Sequence, residues 1–177
     1  RKMTEKIRQG EKLGIVLIGM PGVGKSTVGV LLAKRLGLGF LDTDVHIQTL
    51  EGRRLSEIIQ HESLAGFCRI EERHLLSISP LGCVIATGGS AVYSERAMAH
   101  LRDGAVIVHL DLEPSLLKQR IDNMDARGVV RAPGQSVADL YRERNPLYRR
   151  CEDIRIDCGI LSPEEVIAAI VNELPNR

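Results

Sequence analysis

The stretch GMPGVGKST, Gly19 to Thr27, directly follows the apolar run LGIVLI, Leu13 to Ile18, and this junction decides the fold. It fits G-x-x-x-x-G-K-[ST], with Gly19, Gly24, Lys25 and Ser26 at the required spacing. The unbroken apolar run reads as a central parallel strand covered on both faces. Behind the loop, Val28, Leu31, Leu32 and Leu36 recur at helical spacing. Strand, glycine-rich loop and helix in this order make a phosphate grip rather than an ordinary turn. Glycines let the backbone take positive φ and bring successive N–H groups round an anion, and the new helix points its positive end at the same place. Gly22, Val23, Gly24, Lys25, Ser26 and Thr27 are therefore the candidate nucleotide-binding set. Lys25 reaches the β- and γ-phosphates, and the Ser26 hydroxyl is placed to ligate Mg²⁺.

Working outward, the 177 residues suffice for one compact domain spanning 1–177, and 44% of them are hydrophobic. With 24 basic and 23 acidic residues the formal net charge is +1, which points to neither nucleic acid nor an anionic membrane as partner. A small anionic ligand is compatible, and the chain is expected to be a monomer. Cys68, Cys83, Cys151 and Cys158 show no C-x-x-C pair and no metal-finger spacing, so they read as reduced thiols. The scattered histidines imply no structural metal. No apolar run approaches a membrane span, and RKMTEKIRQGEK at the start lacks the apolar segment of a signal peptide. The expected location is the cytoplasm.

Strand and helix alternate along the rest of the chain. GFLDTD, Cys83 to Thr87, Ala105 to Leu110 and IRIDC read as further strands. Leu55 to Gln60, Ala65 to Ser77, Ser94 to Leu101, Pro114 to Ile121, Val137 to Arg149 and Pro163 to Leu174 read as helices. The pattern predicts an α/β, three-layer P-loop fold: a five-stranded parallel sheet with helices on both faces and ligands beyond the carboxyl ends of the strands. Residues 122–136, DNMDARGVVRAPGQS, are polar, glycine-bearing and too long for a tight connector, so they read as a mobile lid.

A second carboxylate separates motor-like NTPases from small-molecule kinases. Asp111, after the apolar strand AVIVHL, would serve the motor reading, or merely open a capping turn. Asp42 and Asp44, two residues apart at the end of the second strand, would share one side of an extended backbone and serve the kinase reading, which is favoured. Two carboxylates facing a phosphate loop are costly unless a cation and a hydroxyl donor sit between them, and phosphoryl transfer to an alcohol supplies both. The plain alternative is a strand-terminating turn with Asp44 capping the next helix.

GMPGVGKST, LDTD, GFCRIEE, TGGS and RNPLY occur in an order and at a spacing that resemble the shikimate kinases, which have the nucleoside-monophosphate-kinase-like P-loop fold. The similarity runs from Leu13 to Asp157. The resemblance implies an enzyme that uses ATP and Mg²⁺ to convert shikimate, or a related polyol acid, to its phosphate ester, shikimate 3-phosphate for shikimate itself. It also implies that Asp42 helps hold Mg²⁺ and that Asp44 binds the acceptor's hydroxyls and serves as base. Gly89 would offer its N–H to the acceptor, Arg144 would bind the acceptor's carboxylate, Arg127 would be the lid arginine that steadies the transferring group, and Arg120 would lie against adenine. Gly88 and Gly89 end a buried strand beside the loop, which suits close approach of backbone to ligand.

Three departures fall outside the phosphate grip. The family's F-R-x-x-E reads Phe67, Cys68, Arg69, Ile70, Glu71, so the arginine that clamps the acceptor carboxylate is missing at its place. Arg69 is turned by about a hundred degrees on a helix, and Arg131 or a moved Arg69 is the expected compensation. Ser90 stands where the family has a third glycine, and Gly128 where it has a proline. These departures leave two rivals standing: a kinase for another small polyol, and a nucleotide-binding regulator with a lost acceptor site.

Overall fold

A computed structural model describes residues 13–121 and 129–175. Its elements run β1 (Gly14–Ile18), α1 (Lys25–Leu36), β2 (Gly39–Asp42), α2 (Thr43–Glu51), α3 (Leu55–Ser77), β3 (Cys83–Ala86), α4 (Glu95–Arg102), β4 (Ala105–Asp111), α5 (Pro114–Ile121), α6 (Val137–Cys151), β5 (Ile154–Asp157) and α7 (Pro163–Glu173). The strands form one parallel sheet in the order β2-β3-β1-β4-β5. β1 is central, as its unbroken apolar run predicts: Val16 pairs with Ile85 on one side and Ile107 on the other. Ile15, Val16, Leu17 and Ile18 are each 0% exposed. Burial of such side chains contributes roughly 1.5–3 kcal/mol each, which makes this strand the thermodynamic spine of the sheet.

The strand order places the chain reversal between β1 and β3, so the loops after β1, β2 and β3 open onto one crevice beyond the carboxyl ends of the strands. One difference from the sequence reading bears on that crevice: the second strand stops at Asp42, and helix α2 begins at Thr43. The Asp42 carboxylate accepts hydrogen bonds from the N–H groups of Asp44 at 2.9 Å and Val45 at 3.2 Å, and this cap turns the chain from strand to helix. Asp42 and Asp44 therefore do not share an extended backbone, and Asp42 rather than Asp44 caps the helix. The two helices expected at Leu55 to Gln60 and Ala65 to Ser77 are borne out as the two helical halves of α3, joined across a kink. The break is Ser63, at φ 63° and ψ 168°, whose hydroxyl accepts the Gly66 N–H at 3.2 Å and starts the second half.

Part of the expected lid, residues 122–128, lies outside the described residues. Of its remainder, Val130 is buried in a small cluster with Ile47, Leu55, Ile58 and Phe67, and so anchors the stretch that leads into α6.

Candidate active site

The loop between β1 and α1 carries Gly19, Gly22 and Gly24 at φ 142°, 80° and 106°. Gly24 is the N-cap of α1 and supplies no side-chain acceptor, so the first-turn N–H groups of this helix are left for an anion. Val23 is buried and ties the loop back through its N–H to the Met20 carbonyl at 3.3 Å. The Lys25 side chain curls over the loop, its Nζ donating to the carbonyls of Gly19 at 2.7 Å and Met20 at 2.8 Å. Burial lowers its pKa to about 8, against the raising influence of Asp44, so the ammonium is still charged at neutral pH. The Ser26 hydroxyl donates to Asp42 Oδ2 at 2.5 Å, while Asp42 Oδ1 caps α2. A hydroxyl and a carboxylate oxygen thus meet at the edge of the phosphate loop, the oxygen donor set that suits Mg²⁺.

Opposite the loop stands a second wall. Asp44, in the first turn of α2, has its carboxyl pushed up to about 6, by burial first and by Asp42 second, with Lys25 opposing. The Gly88 N–H donates to Thr43 Oγ1 at 3.1 Å, which locks the turn after β3 against the start of α2. A Cβ on Gly88 would lie 2.8 Å from both Asp44 Oδ1 and Glu71 Oε1, so only glycine lets these two carboxyls converge there. On Gly89 a Cβ would lie 2.9 Å from Arg144 Nη1, and Tyr148 donates to the Gly89 carbonyl at 2.6 Å. Arg144, on α6, is fully buried, stacks 5.2 Å from the Tyr93 ring centre, and donates to Tyr93 Oη at 3.1 Å and to the Val130 carbonyl.

These two walls enclose one cavity of about 700 Å³. It brings together Gly22, Gly24, Lys25, Ser26, Thr27, Asp42, Asp44, Gly88, Gly89, Arg120 and Arg144. Val23 faces the core instead, and Arg120 sits on the rim, donating to the Val23 carbonyl at 3.4 Å. Arg127 lies outside the described residues. Asp111 ends β4 and receives the Tyr141 hydroxyl at 3.0 Å, away from this cavity. Residues that the sequence reading did not select also line it, among them Arg54 and Phe67 of the α3 end and wall, Val129 and Val130.

A family model described as shikimate kinase matches residues 21–175. The shikimate kinase of Mycobacterium avium (strain 104) is 39% identical over 165 residues, 90% of this chain and 92% of that protein. That of Thiobacillus denitrificans is 37% identical over 146 residues, 81% of this chain and 80% of that protein. The solved structure of shikimate kinase from Acinetobacter baumannii in complex with shikimate superposes with a TM-score of 0.81 at 28% identity, covering 95% of this chain and 99% of that one. The chain belongs to the shikimate kinase family.

Within this shikimate kinase framework the departures acquire a structural account. Cys68 is half-buried and borders a smaller cavity of about 140 Å³ rather than the main one, together with Arg69, Glu71, Ser90 and Tyr93. Neither expected compensation is among the residues that line the main cavity: Arg69 is exposed beside Cys68, and Arg131 borders an adjoining hollow that shares Ser56 and Val129 with it. Ser90, in place of a third glycine, donates to Glu71 Oε2 at 2.7 Å. Glu71 Oε1 has no hydrogen-bond partner among the described residues although the residue is only 2% exposed. Burial raises the Glu71 carboxyl to about 7, with the Ser90 hydrogen bond opposing and Asp44 adding to the rise. In the sequence, Glu71 stood out only as the last letter of F-x-x-x-E. Its state depends on Ser90, Asp44, Arg144 and Lys25, which only the fold brings together.

Proposed function

We propose that this chain is an ATP- and Mg²⁺-dependent kinase that transfers the γ-phosphoryl group of ATP to a hydroxyl of shikimate. The observation that carries the reading is the placement of the Asp44 carboxyl across one cavity from the phosphate loop, beside the glycine pair 88–89 and Arg144. Family membership supplies the acceptor class.

In this reading the loop amides of Gly22 to Thr27 and the Lys25 ammonium hold the phosphates, and Arg120 borders the nucleotide. Ser26 and Asp42 hold Mg²⁺, which when bound neutralises charge on the phosphates. Asp44 orients the acceptor hydroxyl and takes its proton as the oxygen bonds to the γ-phosphorus and the bond to the leaving ADP oxygen breaks. A carboxyl titrating near 6 is ionised at neutral pH yet basic enough for the task. The Gly89 N–H and Arg144 bind the acceptor, the latter through its carboxylate. Arg127, from the segment outside the described residues, steadies the transferring group. Residues 1–177 act as one domain with a lid at 122–136, as a monomer in the cytoplasm. No described helix is long and apolar enough to cross a membrane.

Cys68 favours one second reading, a kinase of the same build for a polyol without a carboxylate. The test is a coupled ADP-release assay with ATP, Mg²⁺ and, in turn, shikimate, quinate, gluconate and uncharged polyols. Turnover with shikimate well above every other acceptor is expected; preference for an uncharged polyol would replace shikimate as the acceptor.

A further inference from the structure

The acceptor of the proposed reaction carries a carboxylate, the family's clamp arginine is absent at residue 68, and the main cavity has another arginine, Arg54, in its wall. Arg54 lines the main cavity together with Val45, Leu55 and Phe67. Of the four described cations that border this cavity, Lys25, Arg120 and Arg144 each donate to carbonyls or a hydroxyl of the protein. The Arg54 guanidinium makes no hydrogen bond and no ion pair among the described residues.

Position 54 is also a poor place for an arginine on local grounds. It is the N-cap of α3, at φ −70° and ψ 151°. Asp42, Ser94, Ser136 and Ser162 cap α2, α4, α6 and α7 with side-chain oxygens. The N-caps of α1 and α3, Gly24 and Arg54, lack such a bond, and Gly24 serves the phosphate loop. A guanidinium at the positive end of a helix is electrostatically unfavourable and caps nothing. A residue that breaks a local rule without a structural return, on the wall of a binding cavity, is the signature of a ligand contact.

We infer that Arg54 supplies the positive charge for the acceptor's carboxylate that residue 68 no longer provides. The inference rests on the proposed shikimate reading. It moves the clamp from the middle of α3 to its N-terminus, where the helix's own positive end reinforces it.

The experiment compares the parent protein with Arg54→Ser and Arg54→Lys, using shikimate and its uncharged methyl ester as acceptors. Serine is a good N-cap, so Arg54→Ser should unfold at no lower temperature than the parent. Loss of a charge-assisted contact predicts about a tenfold rise in the KM for shikimate, with kcat and the KM for ATP near parental values and the lysine variant intermediate. The KM for the methyl ester should not change. An unchanged KM for shikimate in Arg54→Ser, or an equal rise for the ester, would overturn the inference while leaving the shikimate reading intact. A parent protein that turns over no shikimate would overturn both.

Discussion

The phosphate half and the acceptor half of the cavity are built on different principles. The phosphate half is contiguous in sequence: backbone amides and one lysine within nine residues, held by the junction of β1 and α1. The acceptor half draws Asp44 from α2, Glu71 from α3, Gly88 and Gly89 from the turn after β3, and Arg144 from α6. A contiguous backbone cradle tolerates little change, because its geometry is the binding group. A wall of convergent side chains can lose one charge and gain another elsewhere, which is the relation inferred between residues 68 and 54. All three departures from the family pattern fall outside the cradle.

The sharpest way to break this division is at Asp44. Asp44→Asn keeps the shape but cannot take a proton, so kcat should fall by about 10²–10⁴ with the KM for ATP nearly unchanged. Near-normal turnover would move the base elsewhere. Lys25→Ala attacks the other half and should lower kcat/KM for ATP by about 10²–10³, with the KM for shikimate less affected. If the lysine variant kept full activity, the phosphate-loop assignment would fail.

A smaller effect sharpens the acceptor side. Cys68→Arg returns a guanidinium beside Glu71, whose Oε1 is unpartnered among the described residues, and should lower the KM for shikimate by about tenfold while leaving the KM for ATP alone. A higher KM in that variant would mean the pocket no longer accepts the family's clamp. In the parent, kcat/KM for shikimate should fall tenfold per pH unit below about 6, where the Asp44 carboxyl takes up its proton. A profile flat down to pH 5 would contradict that role.

The smallest expected effect is on stability. The buried Glu71 carboxyl titrates near 7 in the folded protein, above its ordinary value of 4.5. Between those values the folded state holds a proton that the unfolded state has released, so stability falls as pH rises through that window. Asp44, raised from 3.8 to about 6, contributes with the same sign. Glu71→Gln removes one of these two contributions, so its Tm should decline less than the parent's between pH 5 and 8. Parallel declines in the two proteins would show that Glu71 is ionised in the folded state throughout.

What could be read from the sequence follows the same division. β1, the phosphate loop and α1 were legible because local spacing alone specifies them. Of the five parallel strands, β1, β3 and β4 were legible because buried parallel strands are apolar nearly throughout, whereas the edge strands β2 and β5, GFLD and IRID, were legible from their place in the alternation with helices. Helix α2 was missed, although Asp42 followed by Ile47 and Leu50 at helical spacing and Gly52 at its end mark it. The reading of LDTD as wholly extended hid those signals. Ser63 was legible only as a gap between two helices, because a left-handed serine leaves no composition signal. Arg54 could not be found from spacing, since an arginine in GRRL looks like solvated charge until the fold sets it on the cavity wall.

The central claim is that the two walls of one cavity pass a phosphoryl group from ATP to a hydroxyl of shikimate. The most direct test is ³¹P NMR of the purified protein with ATP, Mg²⁺ and shikimate. The account predicts a new phosphomonoester resonance that grows in equal proportion to ADP and is absent when shikimate is omitted. ADP accompanied only by inorganic phosphate, or no consumption of ATP at all, would contradict it.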